Sequence, residues 1–231
     1  MAQYFAWIFI ILLLAAPAFP DEKVYTLVTI ENASKISSYK ELGDMMTAVL
    51  KDSGIKSRII EMPVERGMRL VDSGQADFFI ASDLAIQDTY KNLVPSSFPF
   101  IKTHIWVFHR ADDSRFQNKN PTPQMNGVAL LNDPAVSAIV KKKKLKVIGV
   151  QSSMAGLQML LTRRADFYVG TMGTVDVLLA ATPGERKKIS NVKEPLAPYD
   201  VYFWAHKKHA ALMPTISKNL KKAMSKKATV K

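Results

Sequence analysis

The chain has 231 residues, 48% of them hydrophobic and 23% charged, with a formal net charge of +12 and no cysteine. That length suits one large domain or two modest ones, and the composition excludes a disordered polypeptide and any disulfide-stapled scaffold. The first residues, MAQYFAWIFIILLLAAPAFP, hold an uncharged apolar run over residues 5–14, followed by Ala16-Pro17-Ala18. This is the pattern of an export signal over residues 1–20, cleaved near Ala18, and the run is too short for a comfortable bilayer span of about 20 residues. No Lys or Arg precedes it, which leaves a retained anchor as the alternative. The expectation is a soluble, secreted, periplasmic chain that is not a lipoprotein, since no cysteine is present to carry the lipid. Export in turn argues against nucleic acid as the partner of the positive charge. The basic stretches at residues 141–146 and 217–231 read as a solvated helix end and an amphipathic helix with a basic tail, either able to touch an anionic envelope surface.

After the export signal, KVYTLVTIE is rich in β-branched residues and predicts a strand. Ser37 or Ser38 then starts a helix whose Leu42, Met45, Met46, Val49 and Leu50 share a face, and Gly54 ends it. IKSRIIEM is the second strand, Pro63 opens a helix carrying Val64, Met68 and Val71, and ADFFIAS is a third, buried strand. The order β-α-β-α-β calls for a parallel sheet covered by helices. PSSFPFIKTHIWVFHR is a proline-led aromatic strand, followed by a polar loop. A second series follows: GVALLN, a helix opened by Pro134, KVIGVQSS, a helix over MAGLQMLLTRR, ADFYVGT, and a helix with Val175, Leu178 and Leu179. DVYFWAHKK reads as one long strand, and a helix built on Leu212, Ile216 and Leu220 closes the chain.

Two stretches echo one another. Setting Asp77 of QADFFIAS over Asp166 of RADFYVGT places Ala76 on Ala165, Phe78 on Phe167, Phe79 on Tyr168 and Ser82 on Thr171. The prediction is an α/β molecule of two lobes, each a mostly parallel sheet flanked by helices: residues 21–108 plus 206–231, and residues 109–205. Two crossing strands form the hinge, with WVFHR and YFWAH side by side. Ligands of open α/β sheets sit beyond the carboxyl ends of the parallel strands. That rule, with the polar residues at strand ends and helix starts, selects Glu31, Asn32, Tyr39, Arg66, Ser82, Asp83, Asn132, Asp133 and Thr171 as ligand-binding candidates. Asp77 and Asp166 fall before their strands, away from that end, and read as turn formers. His206 and His209 are too few to hold a metal, no phosphate-cradling glycine loop is present, and no cofactor is expected.

The ordered set of export signal, YTLVTIE, PVERGMRLVDSGQADFFIAS, FPFIKTHIWVFHR, RRADFYV and YDVYFWAHKK resembles the family 3 extracellular solute-binding proteins, over nearly the whole chain after residue 20. The resemblance implies a type II periplasmic binding fold and a monomeric, non-catalytic receptor for a small polar solute, amino-acid-like or another organic anion, serving an ABC-type permease. Two departures stand out. The family's carboxylate-clamping Arg has no counterpart in LAIQDTYKN, where Lys91 is the nearest cation, and the family's second-lobe Asp falls at Thr171. The alternatives are a sensory or cell-envelope interaction module, and a dehydratase on the same frame using Glu31, Asp83 or Asp133 as a general acid.

Overall fold

A computed structural model describes residues 23–31, 33–80, 83–116, 120–180 and 182–229; the expected export signal, Asn32 and Ser82 lie outside them. The first series folds as β1 (Tyr25–Ile30), α1 (Ser37–Asp52), β2 (Ser57–Met62), α2 (Val64–Asp72) and β3 (Phe78–Ile80). Two strands then follow without an intervening α-helix, β4 (Leu93–Pro95) and β5 (Ile101–Arg110). The second series is β6 (Gly127–Ala129), α3 (Pro134–Lys142), β7 (Val147–Gly149), α4 (Ser153–Leu161), β8 (Phe167–Thr171) and α5 (Met172–Leu179). The chain finishes with α6 (Pro183–Arg186), β9 (Ile189–Asn191), β10 (Ala197–Val201), β11 (Phe203–His206) and α7 (Met213–Thr229).

The strands form two sheets. One runs β2-β1-β3-β11-β4; the other runs β10-β5-β8-β6-β7, with β9 also beside β5. Each has a parallel core of three strands, β2-β1-β3 and β7-β6-β8. Each core is then flanked by an antiparallel strand, β11 against β3 and β5 against β8. Successive residues of each central strand serve opposite faces, as the pleat requires. Leu27, Phe78 and Phe203 pack with Met46, Leu50, Ile216 and Leu220 of α1 and α7, while Val28, Phe79 and Trp204 pack with Met68 and Val71 of α2. In the second sheet Phe167 and Val169 meet Val136 and Val140 of α3, while Tyr168 meets Leu157, Leu160 and Val175.

The echoing stretches are structural equivalents. The Asp77 N–H donates to the Thr26 carbonyl at 3.1 Å, and the Asp77 carboxylate accepts the Thr26 N–H at 2.8 Å. Asp166 makes the same two bonds with Asn126, at 2.7 and 2.8 Å. Each Asp therefore staples the start of its strand to the neighbouring parallel strand, a stronger role than turn formation. Each also has a basic partner: His209 (2.6 Å) and Lys208 (3.2 Å) for Asp77, Arg115 (2.6 Å) for Asp166. Burial pushes the Asp77 carboxyl up, but the Thr26 N–H, His209 and Lys208 outweigh it and hold it below the usual carboxylate value. Burial lowers His209 below the usual imidazole value, and its hydrogen bond to Asp77 offsets that only in part. The same register sets Gly67 over Gly156. A Cβ at Gly67 would lie 2.8 Å from Val28 and 3.0 Å from the Phe79 ring, and one at Gly156 would lie 3.0 Å from the Tyr168 ring. In both halves a glycine lets the helix sit on the aromatic of the strand after it.

The crossings differ from expectation. DVYFWAHKK is two strands: β10 pairs antiparallel with β5 from Ala197↔Ile105 to Val201↔Ile101, and β11 pairs with β3 and β4. The chain changes sheets at Tyr202, and on the outward passage between Pro95 and Ile101. Both changes fall earlier than the expected boundaries at 108/109 and 205/206. WVFHR and YFWAH therefore do not lie side by side: Trp106–His109 pair with β8, whereas Phe203–His206 sit in the first sheet. The neighbours across the hinge are residues 101–105 and 197–201. A uniformly aromatic run concealed the change, because composition carries no information about which strand is the partner. His109 stacks on Phe116 at 4.7 Å and is remote in the sheet order from His206.

Candidate ligand-binding cleft

Between the two sheets lies a cavity of about 840 Å³. Strand ends and helix starts supply its walls. From the first sheet come Thr29, Ile30 and Glu31 at the end of β1, and Ile80 at the end of β3. Tyr39 of α1 and the first turn of α2, through Glu65 and Arg66, complete that side. From the second come Asn132 and Asp133 before α3, Ser152 and Ser153 at the start of α4, and Thr171 at the end of β8. Ile101 and Thr103 of β5, with Tyr199 and Val201 of β10, line it from the crossing strands. The parallel strands that reach it do so with their carboxyl ends, where backbone N–H groups of the following helices are unpaired within their own helix.

Each side chain has a definite setting. Asp133 caps α3, its Oδ1 accepting the N–H groups of Ala135 (2.9 Å) and Val136 (3.2 Å). Its Oδ2 accepts the Tyr199 hydroxyl at 2.9 Å. Loss of hydration raises the Asp133 carboxyl above its usual value, and these bonds offset that only in part. Asn132 donates its side-chain amide across the cleft to Glu65, whose other oxygen pairs with Arg69. Tyr39 also reaches the opposite wall: a Cβ at Gly173 would lie 2.5 Å from its hydroxyl oxygen. Burial, with the Asp176 charge behind it, pushes the Tyr39 phenol up to about 12. Thr171 Oγ accepts the Thr174 N–H at 3.2 Å and shares a 2.9 Å hydrogen bond with the Thr174 hydroxyl. Arg66 is exposed to the cleft and, among the described residues, has no hydrogen-bond or ion-pair partner.

Six expected residues therefore line one cavity: Glu31, Tyr39, Arg66, Asn132, Asp133 and Thr171. Asn32 and Ser82 lie outside the described residues. Asp83 is a correction. It is not in the lining, because β3 ends at Ile80 and Asp83 has become the cap of the turn Leu84–Asp88. Its Oδ1 accepts the Ala85 N–H at 3.0 Å and its Oδ2 the Asp200 N–H at 3.3 Å. Lys91 is also absent from the lining. Among residues not anticipated, Ser152 and Ser153 follow β7 and answer to the same strand-end rule, which a shorter strand over KVIG would have exposed. Tyr199 and Thr103 had no such signal, since their place depends on the β5–β10 pairing. The described residues hold no cluster of three or more metal-ligating side chains, and none of their helices is long and apolar enough to cross a membrane.

No family model and no curated protein matches the chain. Solved structures do. The ligand-binding core of GluR0 from Nostoc punctiforme, in complex with L-glutamate, aligns with a TM-score of 0.67 at 15% identity, over 87% of this chain and 93% of that one. The substrate binding protein of an amino acid ABC transporter aligns with a TM-score of 0.70 at 15% identity, over 88% and 94%. A histidine kinase sensor domain with similarity to periplasmic binding proteins gives 0.69 at 11%, over 90% and 93%. The chain has the two-lobed periplasmic binding protein fold. The cavity is shared by both sheets, and the chain passes from one sheet to the other through residues 96–100 and Tyr202.

Proposed function

We propose that this protein is a periplasmic solute-binding protein that captures a small polar solute between its lobes, without turnover, on behalf of an ABC-type transporter. The observation that carries the reading is the cavity itself, about 840 Å³, shared by both sheets at the carboxyl ends of their parallel strands and bridged by the Asn132–Glu65 bond. Each lobe comprises one sheet with its helices, and the two crossings are the hinge. Binding energy shifts the lobes towards the closed form, which is the form a partner recognises. The export pattern at residues 1–20 supports delivery to the periplasm, and the likeness to an amino acid transporter's binding protein supports the permease as partner.

A sensory module is the second reading, favoured by the likeness to a histidine kinase sensor domain. Thermal melting against a library of small polar compounds tests both readings, because ligand bound only by the folded state raises the melting point. A well-folded sample that none of them stabilises would refute capture. Co-purification of an inner-membrane permease, against that of a kinase, separates the two.

A further inference from the structure

We propose that the cleft selects an organic anion with an apolar body, larger than a free α-amino acid. The proposal rests on the solute-capture reading and names the class of solute. The first support is the wall. Ile30, Leu42, Val64, Leu130, Met154 and Leu178 all line the cavity, and each is only partly buried. They come from both lobes and from strand ends as well as helices, so the cleft has apolar surface on opposing sides. Such surface in a closed cleft gains from contact with a matching apolar body. The second is size. Cavities that enclose drug-sized ligands span roughly 300–1,000 Å³, and about 840 Å³ lies in the upper part of that range.

The third support is the charge balance. Of the acids in the lining, Glu65 is paired with Arg69 and bonded to Asn132, and Asp133 is committed to the α3 cap and to Tyr199. Arg66, at the start of α2, is the lining cation with no partner among the described residues, and a carboxylate is its natural complement. The amides opening α2 and α4 add positive potential to the same space. Glu31 is the lining carboxylate without a partner among the described residues. Its part differs between solute classes: it would hold an ammonium group, but it repels a simple carboxylate.

The test is isothermal calorimetry on the full folded chain with straight-chain carboxylates from butyrate to decanoate, phenylacetate and indoleacetate, alongside glutamate, arginine and neutral octanamide. The expected result is a Kd that tightens about threefold to fourfold per added methylene until the cavity is full. Arg66→Gln should weaken octanoate at least tenfold and leave octanamide unchanged, and Glu31→Gln should tighten octanoate. Arg66 is exposed and has no partner among the described residues, so its replacement should leave folding intact, which circular dichroism would check. Binding of glutamate or arginine in preference to the carboxylates, weakened by Glu31→Gln, would overturn this class while leaving solute capture standing. Carboxylate binding indifferent to Arg66→Gln would overturn the assignment of the head group. Silence from these probes and from the polar library together would remove the capture reading as well.

Discussion

Replacing Gly67 by Ala sets two opposed effects against each other on α2. Alanine gains about 0.5–1 kcal/mol over glycine inside a helix. Here the added Cβ would stand 2.8 Å from Val28 Cγ1 and 3.0 and 3.4 Å from the Phe79 ring. Neither neighbour can yield cheaply. Both are fully buried, and Val28 is β-branched and held on both sides by β2 and β3. Overpacking of this kind costs about 1–3 kcal/mol, so the net expectation is a loss of about 0.5–2 kcal/mol. For a chain of this size that lowers Tm by about 1–8 °C. Urea unfolding followed by far-ultraviolet circular dichroism gives the free energy directly. Because Glu65 and Arg66 occupy the preceding turn, lifting α2 off the sheet should also weaken any solute that binds wild type. A Gly67→Ala protein as stable as wild type, or more so, would refute the seating of α2 on Val28 and Phe79.

Gly156→Ala meets Tyr168 at 3.0 Å and Val150 at 3.3 Å, and should fall in the same direction by urea titration. Asp77 stabilises the fold fully above its unfolded value of 3.8, and that stability is lost as pH falls through the lower folded value; Asp77→Asn should flatten the acid limb of a Tm-versus-pH curve. Asp133 has the opposite sign: its folded value is raised, so its contribution diminishes as pH climbs from 3.8 through that value. Asp133→Asn keeps an effective helix cap and should erase that slope without loss of neutral-pH stability, read from the same curves. Asn132→Ala removes the bond across the cleft, worth about 0.5–1.5 kcal/mol, and should weaken solute affinity about twofold to tenfold and widen the molecule in small-angle scattering.

The two βαβαβ series, the helix faces and the doubled Ala-Asp-aromatic signature were legible in the sequence because each is a local property. Helical spacing, strand composition and a glycine or proline stop require no knowledge of the partner. From those, the strand-end rule led to Glu31, Tyr39, Arg66, Asn132, Asp133 and Thr171, all of which line the cleft. What needed the tertiary structure was every feature defined by pairing across long separations in the chain. The split of one aromatic run at Tyr202, the placing of Tyr199 and Thr103 in the wall, and the turning of Asp83 into a cap all depend on which strand lies beside β5 and β3. A strand's own residues state that it will pair and which face is apolar; its partner is chosen by the packing of the whole sheet, and the cleft exists only once that choice is made.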